Sequence, residues 1–281
     1  MEQLCDLYFE LSNEDRLEIL RRLEGETMNV TGIARELEIT TQECSRHLAR
    51  LSEALLVARN PEGGYSLSQY GRLSLRLISG QSFVAEHRDY FNAHSLDVYP
   101  RELVARIGEL GAGKTTGNAM VTFGIVVNII RESQEYLLFI HDQYLPSILP
   151  LGVDAMKRGI TSSSVELTAK APGRSLNPIR PDYITLEDEE YFIQVWKEGR
   201  IKPRFTEEVH IFLYINEKEA LISFPSTEGG FDYLGFSSDD PAFHKYCMDV
   251  FEYYFERAEP AGQERMDMAI ERLDLYKTDK G

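Results

Sequence analysis

Thr40 and Glu43 constrain this chain more than any other pair of residues. A T-x-x-E box satisfies two orphan backbone donors reciprocally, so it fixes where a helix begins. Behind it, Cys44, Leu48, Leu51 and Leu55 recur at spacings of four, three and four, the buried stripe of a helix. Thr41, Gln42, Ser45, Arg46, Ala49 and Arg50 then fall on the opposite, polar and basic face. Upstream, Thr31 is expected to cap a short helix over 32–37 with Ile33, Ala34 and Leu37 inward, and Glu38-Ile39 makes the turn between the two. Residues 2–24 read as two further helices divided at Ser12-Asn13. Ser12 is expected to cap the second, with Asp15 as its acidic partner and Gly25 as its end. After the boxed helix, 57–60, the turn Pro61-Glu62-Gly63-Gly64 and 65–68 predict a β-hairpin.

Short helix, tight turn, second helix with an exposed polar and basic face: this is helix-turn-helix geometry, followed by a wing. In such a domain the second helix enters the major groove with its N-terminal side chains at base edges. The wing lies beside the groove, and Arg59 is its expected contact to the backbone or minor groove. The stretches LSNEDRLEILRRLEG, VTGIARELEITTQECSRHLARLSEALLV and GGYSLSQYG are similar to the ArsR-type winged-helix regulators. That resemblance makes TTQECSRHLARL the recognition helix. It implies base-edge contacts from Thr41, Gln42, Ser45 and Arg46, and phosphate contacts from His47 and Arg50. His47 has a second reading, as a helix-packing residue. Metal sensing is not implied, because the metal-sensing members use cysteine pairs, whereas Cys5, Cys44 and Cys247 stand far apart with no CxxC.

Net charge is −16, which gives no help to a DNA-binding reading, since non-specific affinity comes from cations displacing counterions at phosphates. Its distribution matters more. Residues 31–78 hold six Arg against five Glu, so the acidic excess lies elsewhere. Hydrophobic residues make up 43% and no apolar stretch reaches eighteen residues, so no membrane span is expected. The first ten residues carry no basic side chain and so do not resemble a signal peptide. Three scattered cysteines fit a reducing, cytoplasmic setting.

The expected fold class is an α+β winged helix-turn-helix domain (1–79), then an α/β three-layer effector domain with a mixed sheet (80–281). Ser79-Gly80-Gln81 reads as the joint. Beyond it, helices are expected over 83–91, from Pro100 through Leu110, and over 121–135, 145–158 and 241–259. Strands are expected over 136–140 and 164–169, and a hairpin over 209–216 and 220–225 turns at Glu217-Lys218-Glu219. The tail 264–275 is a docking helix or part of a dimer interface. This half resembles the effector domain of archaeal methanogenesis-type regulators, through Phe83, His87, Phe91, His94-Ser95-Leu96, Pro100, Leu103 and Ile107-Gly108-Glu109-Leu110. A second matching set is Gly230-Phe231-Asp232-Tyr233, Ser237-Ser238-Asp239-Asp240 and Phe251-Glu252-Tyr253-Tyr254. The resemblance implies control of methanogenesis or one-carbon genes; the segment 172–203 departs from it.

Gly108 to Thr115 satisfies the P-loop pattern GxxxxGK[ST] in full. A working P-loop needs a buried strand immediately before the first glycine. A Pro-initiated helix is expected there instead, ended by Gly111 in a left-handed cap, so the match reads as a decoy. NTP binding through this segment stays as the alternative, beside an interaction module that does not touch DNA. His141-Asp142, after an apolar strand, and Lys170, after the next, stand where α/β sheets bind ligands; capping of the following helix is the other reading of Asp142. Trp196 is expected in the core. No catalytic or metal constellation appears and no cofactor is expected. The chain is therefore expected to be a homodimer that binds double-stranded DNA and answers to an unknown small-molecule or protein effector.

Overall fold

The computed structural model describes residues 1–143, 148–168 and 185–278. The chain divides into two compact units, Met1–Ser82 and Phe83–Gly281.

The first unit is built from α1 (Glu2–Leu11), α2 (Glu14–Gly25), α3 (Val30–Glu36), α4 (Thr41–Glu53), β1 (Val57–Arg59), β2 (Tyr65–Leu67) and the start of α5 (Gln69–Glu86). The capping box forms as expected. Thr40 Oγ1 accepts from the Glu43 amide at 3.2 Å, and Glu43 Oε2 accepts from the Thr40 amide at 3.0 Å. Two other caps differ from expectation. Asn13 rather than Ser12 caps α2, accepting from Arg16 N at 3.0 Å, while Ser12 Oγ turns back to the Phe9 carbonyl. Asn29 rather than Thr31 caps α3 through Gly32 N at 2.8 Å, so this helix begins two residues early. In both cases the asparagine carboxamide accepts the third amide of its helix and no hydroxyl is needed.

Leu55 also leaves its expected place. It adopts φ +62° and is 70% exposed, while Leu56 is fully buried in its stead. The Leu56 amide reaches Leu51 O at 2.9 Å and the Leu55 amide reaches Ser52 O at 3.0 Å, a Schellman end to α4 that turns one leucine out and the next inward. The core joins Ile19, Leu20, Leu23, Ile33, Cys44, Leu48, Leu51, Leu56 and Leu67. The hairpin pairs Val57 with Leu67 and Arg59 with Tyr65, and Gly63 supplies the φ of +87° that its turn needs.

The expected joint at Ser79-Gly80-Gln81 lies inside α5, which is continuous from Gln69 to Glu86. Leu75 packs in the core of the first unit and Phe83 in that of the second.

The second unit continues with α6 (Arg88–Ala93), α7 (Arg101–Val104), a 3-10 turn (Ile107–Leu110), β3 (Lys114–Thr115), α8 (Ala119–Glu132), β4 (Tyr136–His141), α9 (Leu149–Lys157) and β5 (Thr161–Leu167). Then come α10 (Leu186–Lys197), β6 (Ile201–Thr206), β7 (Phe212–Ile215), β8 (Ala220–Ser223), β9 (Phe236–Ser238), α11 (Pro241–Arg257), β10 (Glu259–Pro260) and α12 (Gln263–Thr278). The sheet order is β10-β6-β5-β4-β7-β8-β9-β3, with β4, β5 and β6 parallel and every other neighbour antiparallel. Side chains alternate across the sheet. Leu213 and Ile215 join Phe243, Tyr246 and Val250 of α11 on one face. Phe212, Tyr214 and Leu221 join Val126, Ile129 and Ala155 of α8 and α9 on the other. The unit is therefore three layers around a mixed sheet.

The single helix expected from Pro100 through Leu110 is instead two short turns, with Leu103, Ile107 and Leu110 still inward. Strand β6 and helix α10 escaped the sequence reading. Pro203 in the middle of β6, flanked by Lys202 and Arg204, hides its strand character. The tail helix α12 lies along α10, where Lys277 pairs with Glu190 at 2.6 Å and Leu273 is buried.

Candidate nucleic-acid interface

Helix α4 buries Cys44, His47, Leu48 and Leu51 and leaves Thr41, Gln42, Ser45, Arg46 and Ala49 exposed. The capping box fixes the first turn, so the exposed set starts at the N-terminal end of the helix. Arg46 joins no ion pair among the described residues. Its guanidinium therefore stands in solvent with all five donors uncommitted. Arg59 of β1 is exposed too and lies over its cross-strand partner Tyr65, 5.8 Å from the ring centroid. The aromatic face gives the long wing side chain a resting surface without withdrawing its charge.

His47 and Arg50 do not join that set. His47 is only 8% exposed, and its Nε2 lies 3.4 Å from the Asp15 carboxylate of α2. Burial there favours helix packing over the phosphate contact that the resemblance implies. Arg50 turns toward α1: its Nη2 donates to Glu10 Oε1 at 2.6 Å and its Nε to Glu10 Oε2 at 3.1 Å, and its guanidinium lies 5.2 Å over the Phe9 ring. The same carboxylate takes a second cation. Arg16 Nε is 3.1 Å from Glu10 Oε2, and Arg16 also donates to the carbonyls of Glu10 and Phe9, each at 2.7 Å. Together the Arg50 hydrogen bond and the charges of both arginines hold the Glu10 carboxyl below the usual glutamate range. Sequence reasoning missed Glu10 and Arg16 as partners of α4. Only residues three or four apart on one helix signal a pair in sequence, and Glu10 is forty positions from Arg50.

In the second unit, His141 ends β4 and is buried, with Nδ1 and the Tyr214 hydroxyl 3.0 Å apart. Asp142 accepts from the Tyr233 hydroxyl at 3.0 and 3.2 Å. Tyr233 has φ +63°, and its ring lies 4.9 Å from Phe123 and 5.1 Å from Phe212. Asp142 does not cap α9, which begins at Leu149 with no side-chain cap. Lys170 lies outside the described residues. Trp196 is half-buried and meets Phe192 edge-on at 6.0 Å.

The P-loop pattern is not realised. The short helix α7 rather than a strand precedes Gly108, which itself lies in the 3-10 turn, Lys114 and Thr115 form an edge strand on β9, and α8 starts only at Ala119, capped by Asn118. Gly111 has φ −59°, so the expected left-handed cap is absent. The glycine that packing demands is Gly113, where a Cβ would lie 2.7 Å from the Phe243 ring. Lys114 faces a recess shared with Glu132, Lys218, Glu219 and Asp239. Among the described residues no cluster of three His, Cys, Asp or Glu has metal-binding geometry, and no helix is long and apolar enough to cross a membrane.

Residues 11–60 match the family model of a helix-turn-helix domain. The N-terminal unit is a helix-turn-helix domain. With the hairpin β1–β2 following it, the unit is winged. No curated protein sequence matches the chain. Among solved structures, it is similar to TrmBL2, an archaeal chromatin protein, at 14% identity over 89% of this chain and 94% of that one, with a TM-score of 0.41. It is also similar to Nuc, a phospholipase D family member from Salmonella typhimurium, at 12% identity over 53% of this chain and 97% of that one, TM-score 0.36. A third is the IclR protein of Thermotoga maritima, at 14% identity over 86% and 94%, TM-score 0.25.

Proposed function

We propose that the chain is a DNA-binding transcription regulator whose helix α4 reads the major groove of double-stranded DNA. The observation that carries this reading is the set Thr41, Gln42, Ser45 and Arg46, exposed on the N-terminal half of a capped helix inside the helix-turn-helix match over residues 11–60. Arg59 of the wing is assigned to the adjacent backbone or minor groove. The test is a genomic DNA pull-down with the purified full chain, followed by footprinting of the recovered duplexes. Discrete protected sites are expected; recovery of DNA without sequence enrichment rules the reading out. Arg46→Ala should weaken binding to such a site by about 1–3 kcal/mol and relax specificity at one position. A gel-shift titration measures this.

Two copies of the chain would read half-sites about one helical turn apart. Support for a homodimer comes from apolar side chains left in solvent on the first unit: Leu4 and Phe9 of α1, and Leu73 and Leu77 of α5 at 56% and 71% exposure. The second unit is assigned the effector, a small molecule or a partner protein, with His141, Asp142 and Lys170 as its candidate contacts. Binding there changes DNA occupancy only if the effector prefers one arrangement of the readers over another. Methanogenesis or one-carbon genes are the proposed targets, on the sequence resemblance alone. The proposal assigns no catalytic step.

A further inference from the structure

We infer that Glu10 and Arg16, although they are not on the exposed face of α4, set the pose of the recognition helix through Arg50, which is a positioning residue rather than a phosphate contact. This rests on the DNA-binding reading above.

Three elements meet at one carboxylate. Glu10 lies in the last turn of α1, Arg16 in the first turn of α2 and Arg50 one turn beyond Arg46 on α4. The Glu10 side chain is 14% exposed and that of Arg16 is 7% exposed, so this part of the cluster is largely withdrawn from water. Arg16 ties the Phe9 and Glu10 carbonyls, two of the acceptors that the end of α1 leaves open, and so holds the carboxylate in place from behind. Arg50 meets the front of that carboxylate with two donors, at 2.6 and 3.1 Å, and lies over Phe9. A fork-to-fork contact fixes orientation as well as distance. The hydrophobic stripe of Cys44, Leu48 and Leu51 holds α4 onto the core, but apolar contact is non-directional. The Glu10 clasp is directional, because both hydrogen bonds lengthen when α4 turns. Base-edge recognition depends on such angles, so the clasp acts on Arg46, one turn away. Freeing Arg50 for a phosphate would break two charge-assisted hydrogen bonds and leave the carboxylate to Arg16 alone.

The two roles for Arg50 separate experimentally. The full chain and its variants Glu10→Gln, Arg50→Ala, Arg50→Lys and the double variant Glu10→Gln/Arg50→Ala are titrated with a duplex recovered by the wild-type protein and with a scrambled duplex, across a salt series. Melting by circular dichroism checks that each is folded. A positioning role predicts that Glu10→Gln and Arg50→Ala each weaken specific binding on the order of tenfold while the scrambled duplex binds as before. The double variant should be no weaker than Arg50→Ala, Arg50→Lys should resemble Arg50→Ala because lysine lacks the fork, and the salt slope should match wild type. The inference is overturned if Arg50→Ala makes the slope shallower by about 0.9 and Arg50→Lys restores it, the mark of one phosphate contact. It is equally overturned if Glu10→Gln leaves specific binding intact, or if both duplexes weaken alike. Failure of the wild-type chain to select any duplex overturns the DNA-binding reading itself, a different result.

Discussion

At the scale of single residues, the first unit separates exposed polar groups from groups tied to one another. Thr40 and Glu43 spend their side chains on the helix start, His47 faces Asp15 and Arg50 faces Glu10, which leaves Arg46 as the exposed cation of that face of α4. Thr40→Ala removes one half of the box and should cost about 1 kcal/mol, read as a lower melting temperature of the full chain. Glu10 adds a pH dependence whose sign follows from its partners. Its carboxyl titrates below the ordinary glutamate value, chiefly because Arg50 donates to it. A carboxyl depressed in the folded state contributes stability above its unfolded value, and that contribution is lost as pH falls through the folded one. The stability margin of wild type over Glu10→Gln should therefore be full at pH 7 and shrink as pH drops below the ordinary glutamate range. A constant margin in urea titrations at pH 7 and pH 3 would contradict it.

At the scale of elements, strain and close packing appear where helices end. Leu55 occupies the left-handed position of the Schellman end of α4, where a side chain with a Cβ costs roughly 1–2 kcal/mol. Leu55 is exposed, so little packing is lost on removing it, and Leu55→Gly should raise the melting temperature of the unit. A fall would show that the exposed leucine is covered by a partner in solution. Much of the element order was legible beforehand. The capping box, the periodicity of α4 and the apolar runs of β4, β7 and β8 all act over a few neighbouring positions. What escaped depended on distant packing. Leu75 and Phe83 of α5 are buried on either side of Ser79-Gly80-Gln81, and β6 forms despite Pro203 because β5 pairs along its whole length.

At the scale of the whole molecule, the net charge is −16 although residues 31–78 are close to neutral. Affinity for arbitrary duplex should therefore be weak at physiological salt, and selectivity must come from the exposed face of α4 rather than from bulk attraction. The proposed dimer belongs to this scale as well. Leu73→Asp with Leu77→Asp places two charges on the apolar strip of α5 and should leave the chain monomeric in sedimentation, with a matching loss of affinity for paired half-sites. An unchanged sedimentation coefficient moves the dimer contact elsewhere.

From its own letters the chain determined the helix-turn-helix with its wing, the alternation of helix and strand behind it and the failure of the P-loop, because caps, turns and periodicity are decided within a few residues. Tertiary structure alone decided that His47 faces Asp15, that Arg50 is tied to Glu10, and that Asp142 meets Tyr233 rather than the next helix. The physical reason is that a charge or a hydroxyl takes the partner folding brings within about 3 Å, and here those partners come from segments up to ninety-one positions away.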